Sequence, residues 1–172
     1  MRDADRDQFR EFVAVRGAGL FRVALALTGE REAAEDLLQH ALTETCARWR
    51  SVRDNPEGYV RRALYHTQVS VWRRRGRLRE VPVREVPERA GADETAAADL
   101  RLALRAALAR LGRRQRAVLV ARFFDDLTEE QTAELLKVSV GTVRSQTYRA
   151  LHRLRQVAPE LHATDLPAEV LP

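Results

Sequence analysis

Residues Leu127–Arg155, LTEEQTAELLKVSVGTVRSQTYRALHRLR, decide how the rest of the chain is read. They set out two helices with a short turn between them. Thr128 can cap the first helix, and Gln131, three residues on, completes a capping box. Ala133, Leu135 and Leu136 give that helix an apolar side. Lys137 and Val138 form the turn, and Ser139 caps a second helix. There Val140, Val143, Thr147, Leu151 and Leu154 recur at steps of three or four, which predicts one inward stripe. The opposite face carries Thr142, Arg144, Ser145, Gln146, Tyr148, Arg149 and Arg153. Two capped amphipathic helices in a row are most often plain core. The outward face separates this pair from that case, because residues 139–155 contain four Arg and no Asp or Glu. Such a face suits a helix-turn-helix whose second helix enters a major groove.

The two arginines nearest the middle of this face differ in position. Arg144 and Arg149 are five residues apart, so at ~3.6 residues per turn they are offset by about 140°. One is expected to address bases and the other to lean toward a phosphate. Arg149, beside Tyr148, is favoured for the bases and Arg144 for the flank.

Charge extends the argument outward. The chain has 172 residues and a net charge of +5, unevenly spread. Residues 61–79 carry +7, residues 80–98 carry −3 and residues 99–157 carry +6. Two basic blocks around an acidic spacer suggest two surfaces that face a polyanion. Arginine alone does not prove phosphate binding, since 29 of the 30 basic residues are Arg and the bias extends to the whole chain.

The remaining pattern is helical throughout, with no strand evident. Phe9, Phe12, Val13, Leu20, Phe21, Ala24 and Leu27 follow near-helical spacing, with Gly17-Ala18-Gly19 a point of interruption and Gly29 a C-cap. A second amphipathic helix is expected over about 31–49. Ala34, Leu37, Leu38, Ala41, Leu42, Thr45 and Trp49 lie inward, and Glu32, Glu35, Asp36, Gln39, His40 and Glu44 outward. Residues 51–54 read as a loop. Asn55-Pro56 is a strong helix start, and the helix runs to about Arg75 before Gly76. Tyr59, Val60, Ala63, Leu64, Thr67 and Val71 are expected inward, with Arg61, Arg62, Arg73, Arg74 and Arg75 outside. Trp72 reads first as a packing residue. Between 77 and 99 the periodicity stops and Pro82, Pro87 and Gly91 punctuate an acidic linker. A helix over 100–111, closed by Gly112, and another over 114–124, with Ala117, Val118, Val120, Ala121 and Phe124 inward, lead into the helix-turn-helix. The stretch after Val157 is proline-rich and weakly patterned.

Several function classes lack their signatures. No run of eighteen apolar residues is present, and the first residues lack an apolar signal core, which predicts no membrane insertion and a cytoplasmic protein. One cysteine, Cys46, leaves no internal disulfide and no thiolate zinc cluster. His40, His66, His152 and His162 are scattered, and no phosphate loop or nucleophile motif occurs. The expectation is a protein that is not an enzyme and has no cofactor.

With these residues in view, the chain resembles a bacterial RNA polymerase sigma factor of the extracytoplasmic-function group, and within it the SigE-like actinobacterial branch. The resemblance covers about residues 6–157. In the first half it rests on LFRVALALTGEREAAEDLLQHALTETCARW, NPEGYVRRAL and WRRR. In the second it rests on RRQRAVLVARFFDDLTEEQTAELLKVSVGTVRSQTYRALHRLR, where VSVGTVRS followed by Arg-Ala-Leu is close to a family signature. The resemblance implies an all-α chain of two small helical domains on a flexible linker, the second a four-helix domain ending in the helix-turn-helix. The expected divisions are 1–78 for core polymerase and the −10 element, 79–98 for the linker, 99–157 for the −35 element and 158–172 for a tail. It implies core RNA polymerase and promoter DNA as partners, with an anti-sigma factor a possible third.

Site roles follow from the same resemblance. Arg144, Ser145, Tyr148 and Arg149 meet the −35 groove, with Thr142, Gln146 and Arg153 alongside. Asp36, Leu38 and Gln39 contact the polymerase. The loop 51–58 and the helix over 59–75 open the −10 element, where Arg61, Arg62, His66, Trp72, Arg73 and Arg74 serve. His66 stands where many members carry Asn, and Leu111-Gly112-Arg113 replaces the usual prolines before the RQR segment. Two rival functions stay open at this point. One is a stand-alone helix-turn-helix regulator, which would need a sensor or dimerisation domain. The other is an adaptor that binds polymerase without reading DNA.

Overall fold

The computed structural model describes residues 2–75 and 96–158, with side chains for 2–70 and 103–158. The expected C-cap at Gly76, the linker and the tail lie outside the described residues. Within them the chain is all-α, as the sequence implies, and contains no strand.

In the first half, α1 (Asp3–Thr28), α2 (Arg31–Ala47), the single turn α3 (Trp49–Val52) and α4 (Pro56–Arg75) follow one another. Helix α1 runs straight through Gly17–Gly19 without the expected interruption. A mid-helix glycine costs about 1 kcal/mol, and tertiary contacts near the start of α1 offset it. Arg50 Nε donates to the buried Asp5 carboxylate at 3.0 Å. Phe9 meets the Trp49 ring edge-on at a centroid distance of 5.2 Å. Gly29 ends α1 in the left-handed region at φ 78°, and its N–H returns to the Leu25 carbonyl at 2.8 Å. The expected helix over 31–49 breaks at Arg48, so Ser51 and Val52 are helical rather than loop. Asn55 starts α4 as anticipated, its Oδ1 accepting from the Gly58 N–H at 3.0 Å.

The second half comprises α5 (Ala96–Ala109), α6 (Arg113–Leu119), a π-helical turn (Val120–Phe124), α7 (Glu129–Leu136) and α8 (Val140–Val157). Gly112 does not close α5, which ends at Ala109; it is the N-cap of α6. The π turn is closed by Asp125 N–H to Val120 O at 3.1 Å. Its wider pitch rotates the register, so Phe124, expected inward, is 46% exposed.

The halves are packed on each other, a feature with no local signal in the sequence. Leu20, Leu27, Leu37, Val60 and Leu64 of the first half share one apolar cluster with Val118, Val120, Leu136 and Val143 of the second. Each such aliphatic side chain fully withdrawn from water stabilises by ~1.5–3 kcal/mol relative to exposure. A second cluster joins α5, α6 and the end of α8 through Leu108, Leu111, Leu119 and Leu154.

One cation binds the halves at the α1–α6 seam. Arg116, 2% exposed, donates through Nη1 to the Thr28 carbonyl and to Leu27 O at 3.5 Å. Its Nη2 donates to Ala109 O at 2.9 Å and Leu111 O at 3.2 Å. These carbonyls lie at or just beyond the C-terminal ends of α1 and α5, neither of which has a basic residue in its last turn. The negative ends of two helix dipoles thus take the place of a counter-ion. Burial, and then the nearby Arg113, bring the Arg116 pKa down to about 10, which still leaves it charged at neutral pH. A Cβ at Gly29 would collide with this guanidinium, so glycine is required there twice over, by φ and by space.

Candidate nucleic-acid interface

The helix-turn-helix is built by its own caps. Thr128 Oγ1 accepts from Gln131 N–H at 3.2 Å, and Gln131 Oε1 accepts from Thr128 N–H at 2.8 Å. Lys137 takes the left-handed conformation at φ 54°, which turns the chain. Ser139 Oγ accepts from Thr142 N–H at 3.1 Å and starts α8. Val143, Ala150 and Leu154 pin the inner face of α8.

The predicted outer face is outside. Thr142, Arg144, Ser145, Tyr148, Arg149 and Arg153 are exposed, and Gln146 is half-buried. Tyr148 is 73% exposed, with its ring inclined 24° to that of His152 and the centroids 6.5 Å apart. The hydroxyls of Thr142 and Ser145 are used locally, the first with Ser139 Oγ at 2.9 Å and the second toward Thr142 O at 3.0 Å. The two central arginines differ in their contacts. Arg144 Nε donates to Glu129 Oε2 at 2.6 Å, which holds it back against α7 and raises its pKa. Arg149 makes no hydrogen bond or ion pair among the described residues. Glu129 as the partner of Arg144 was not visible in the sequence, where it counts only as a favourable acid in the first turn of α7.

The second basic face, on α4, is less open than the sequence suggests. Arg62 and His66 are exposed. Arg61 is not free: it pairs with Glu57 at 3.0 Å on its own helix and with Asp125 at the end of the π turn. Asp125, with a side chain 5% exposed, also accepts from Tyr65 Oη at 2.8 Å. Burial raises the Asp125 pKa, against the lowering pull of the Tyr65 hydrogen bond and the Arg61 charge. Burial, and then Asp125 itself, push the Tyr65 phenol far up. His66 is shifted down by burial and by the charges of Lys137 and Arg62. Trp72, Arg73 and Arg74 belong to the α4 backbone, and their side chains lie outside the described residues.

On α2, Asp36 and Gln39 are exposed and Leu38 is half-buried. Leu38 and Gln39 border a shallow groove with Phe9, Phe21 and Leu42. An apolar floor with a polar rim is the composition of a protein-binding surface. A second groove, which the sequence did not signal, runs from Phe12 and Val15 on α1 past Trp49 to Arg53 and Pro56. Among the described residues no group of His, Cys, Asp or Glu could hold a metal ion, and no helix is long and apolar enough to cross a membrane.

The chain is similar to known proteins in sequence and fold. Residues 101–154 match the family model described as Sigma-70, region 4. The RNA polymerase sigma-E factor of Streptomyces coelicolor is 39% identical over 166 residues, spanning 95% of this chain and 92% of that protein. The ECF RNA polymerase sigma factor SigL of Mycobacterium tuberculosis is 31% identical over 153 residues, spanning 86% of each. Among solved structures, the sigma factor RpoE of Bartonella quintana, crystallised with the anti-sigma factor NepR, superposes with a TM-score of 0.57. It covers 87% of this chain and 95% of that one at 23% identity, a likeness of fold. The chain belongs to the RNA polymerase sigma factors of the extracytoplasmic-function group.

Proposed function

We propose that this chain joins core RNA polymerase, reads the −35 and −10 elements of its promoters and starts transcription of a specific regulon. The observation that carries the reading is the outer face of α8, where Arg149, Tyr148 and Ser145 are exposed with no acidic residue on the helix. An Arg fork there suits guanine O6 and N7, and the neighbouring hydroxyl and ring discriminate adjacent bases. In this reading residues 99–157 form the −35 unit and 1–78 the polymerase and −10 unit, with 79–98 between them and 158–172 a tail. Arg61, Arg62, His66, Trp72, Arg73 and Arg74 serve the −10 element, where phosphate contacts offset the cost of unstacking bases. Asp36, Leu38 and Gln39 meet the polymerase, the last two at the α1–α2 groove. The chain supplies recognition and the polymerase supplies the chemistry, so it is not itself an enzyme, and it works in the cytoplasm. An anti-sigma factor is a fitting regulator, since the Bartonella relative is held by one.

The test is run-off transcription with purified core polymerase on genomic fragments, alongside copurification. Defined start sites that require both core and this chain are expected. Failure to copurify with core would favour a stand-alone regulator, and copurification without promoter-dependent start sites would favour an adaptor.

A further inference from the structure

The ion pair between the two helices of the helix-turn-helix joins side chains whose backbone is anchored on both sides. Thr128 and Gln131 cap α7 reciprocally and hold its first turn, where Glu129 stands. On α7 Ala133 and Leu136 are buried, and on α8 Val143, next to Arg144, is 0% exposed. From these fixed points Glu129 and Arg144 meet at 2.6 Å, with Oε2 accepting from Nε.

A guanidinium can donate along more than one edge, and the pair occupies Nε alone. Nη1 and Nη2 keep their N–H donors, and the Arg144 side chain remains 66% exposed. A phosphate could displace so open a pair. It can also take the Nη edge as a fork and leave Glu129 in place.

Two effects of the carboxylate oppose each other. As an anion near DNA it repels phosphate, over a Debye length of about 8 Å at physiological salt. As an acceptor it fixes the arginine in one pose, so less side-chain freedom is lost on binding. The repulsion is blunted at this position. The Glu129 side chain is only 30% exposed, and its charge is engaged by Arg144 and by the N-terminal end of the α7 dipole. Glu130, one residue on, is exposed and is not the acceptor for Arg144.

Resting on the promoter reading above, we propose that Glu129 is a positioning residue for DNA recognition: it holds Arg144 by Nε so that the Nη edge meets a phosphate flanking the −35 element. Arg149 has no such acceptor among the described residues and adjusts to the bases as it binds. The two arginines of α8 thus reach DNA differently, one preset and one free to turn.

The experiment uses the full chain and a short duplex that the parent chain enriches from a randomised pool, with fluorescence anisotropy reading affinity. Glu129→Ala should weaken binding by about twofold to tenfold. With Arg144→Ala already present, the same change should leave binding unchanged or tighten it, because only the repulsion is left to remove. Glu130→Ala removes the same charge next door and should not weaken binding. A merely structural role, holding α7 to α8, would weaken binding in both backgrounds. That result, unchanged or tighter binding in Glu129→Ala alone, equal weakening in Glu130→Ala, or a pool that yields no duplex would each overturn the proposal. The promoter reading fails separately, through absence of core-dependent start sites, and leaves these affinities as they are.

Discussion

Replacing Arg116 with Leu tests whether one buried cation joins the halves. The guanidinium donates to four carbonyls, Leu27 and Thr28 in the first half and Ala109 and Leu111 in the second. Hydrogen bonds from a charged donor contribute ~1.5–3 kcal/mol each. One of the four, to Leu27 at 3.5 Å, is long and counts for little. Three effective bonds give ~5–9 kcal/mol gross, offset by the several kcal/mol that burying the charge costs. The net loss in Arg116→Leu should be ~2–4 kcal/mol, a large share of the stability of a small protein. Arg116→Lys keeps the charge but has one nitrogen where the fork has two, and should recover only part. Urea unfolding followed by helical circular dichroism reads the change. Loss of the seam should also uncouple the halves, so the single transition broadens and its apparent m falls. An Arg116→Leu variant within 1 kcal/mol of the parent, with unchanged m, would refute the reasoning: the carbonyls would then be satisfied by water and the seam held by apolar contact alone.

Three further outcomes are expected. Selection of −35 sequences should show one relaxed base position with Arg149→Ala, at ~1–3 kcal/mol of lost discrimination, and unchanged preference with weaker binding for Arg144→Ala; relaxation with Arg144→Ala alone would reverse the two roles. Asp36→Arg and Gln39→Ala should weaken capture of core polymerase without altering helical circular dichroism, since both side chains are exposed, and unchanged capture would remove α2 from the polymerase surface. His66 has a folded pKa below its ordinary 6.5, so the folded chain binds that proton less readily than the unfolded chain. The associated stability is present above pH 6.5 and is lost as the pH falls through the lowered value, a dependence that His66→Asn should flatten in urea titrations at successive pH values.

What the sequence revealed was local. The capping box at Thr128 and Gln131, the cap at Ser139, the start at Asn55-Pro56 and the stop at Gly29 all act within four residues, and each stands where it was read. The stripes of α2 and α8 are likewise set by period alone. Features governed by contacts distant in sequence were not legible. Tyr65 and Arg116 are not among the residues expected inward on their helices, yet both are buried because another element lies over them. Their partners are 60 and 88 residues away, at Asp125 and Thr28. Phe124 was misplaced for a different reason. The periodic template assumes 3.6 residues per turn, and the π turn adds backbone without any mark in the side-chain pattern.

These differences bear on how arginine should be read in a chain where 29 of 30 basic residues are Arg. Composition weights them equally, but the fold does not. Arg116 is a structural cation with every assigned acceptor a main-chain carbonyl, so no phosphate can reach it. Arg50 is held by the buried Asp5 carboxylate, whereas Arg144 pairs with Glu129 nearer the surface, where such pairs contribute ~0–1 kcal/mol, little enough for a phosphate to displace. Arg61 is held more firmly, because the Asp125 carboxylate is buried and shared with Tyr65. Arg62 and Arg149 are exposed without such a partner among the described residues and can meet DNA without first breaking an ion pair. The basic blocks that looked alike by charge therefore differ in readiness. In the proposed reading the α8 face offers DNA an arginine without an ion pair among the described residues, whereas on α4 Arg61 must first give up Glu57 and Asp125.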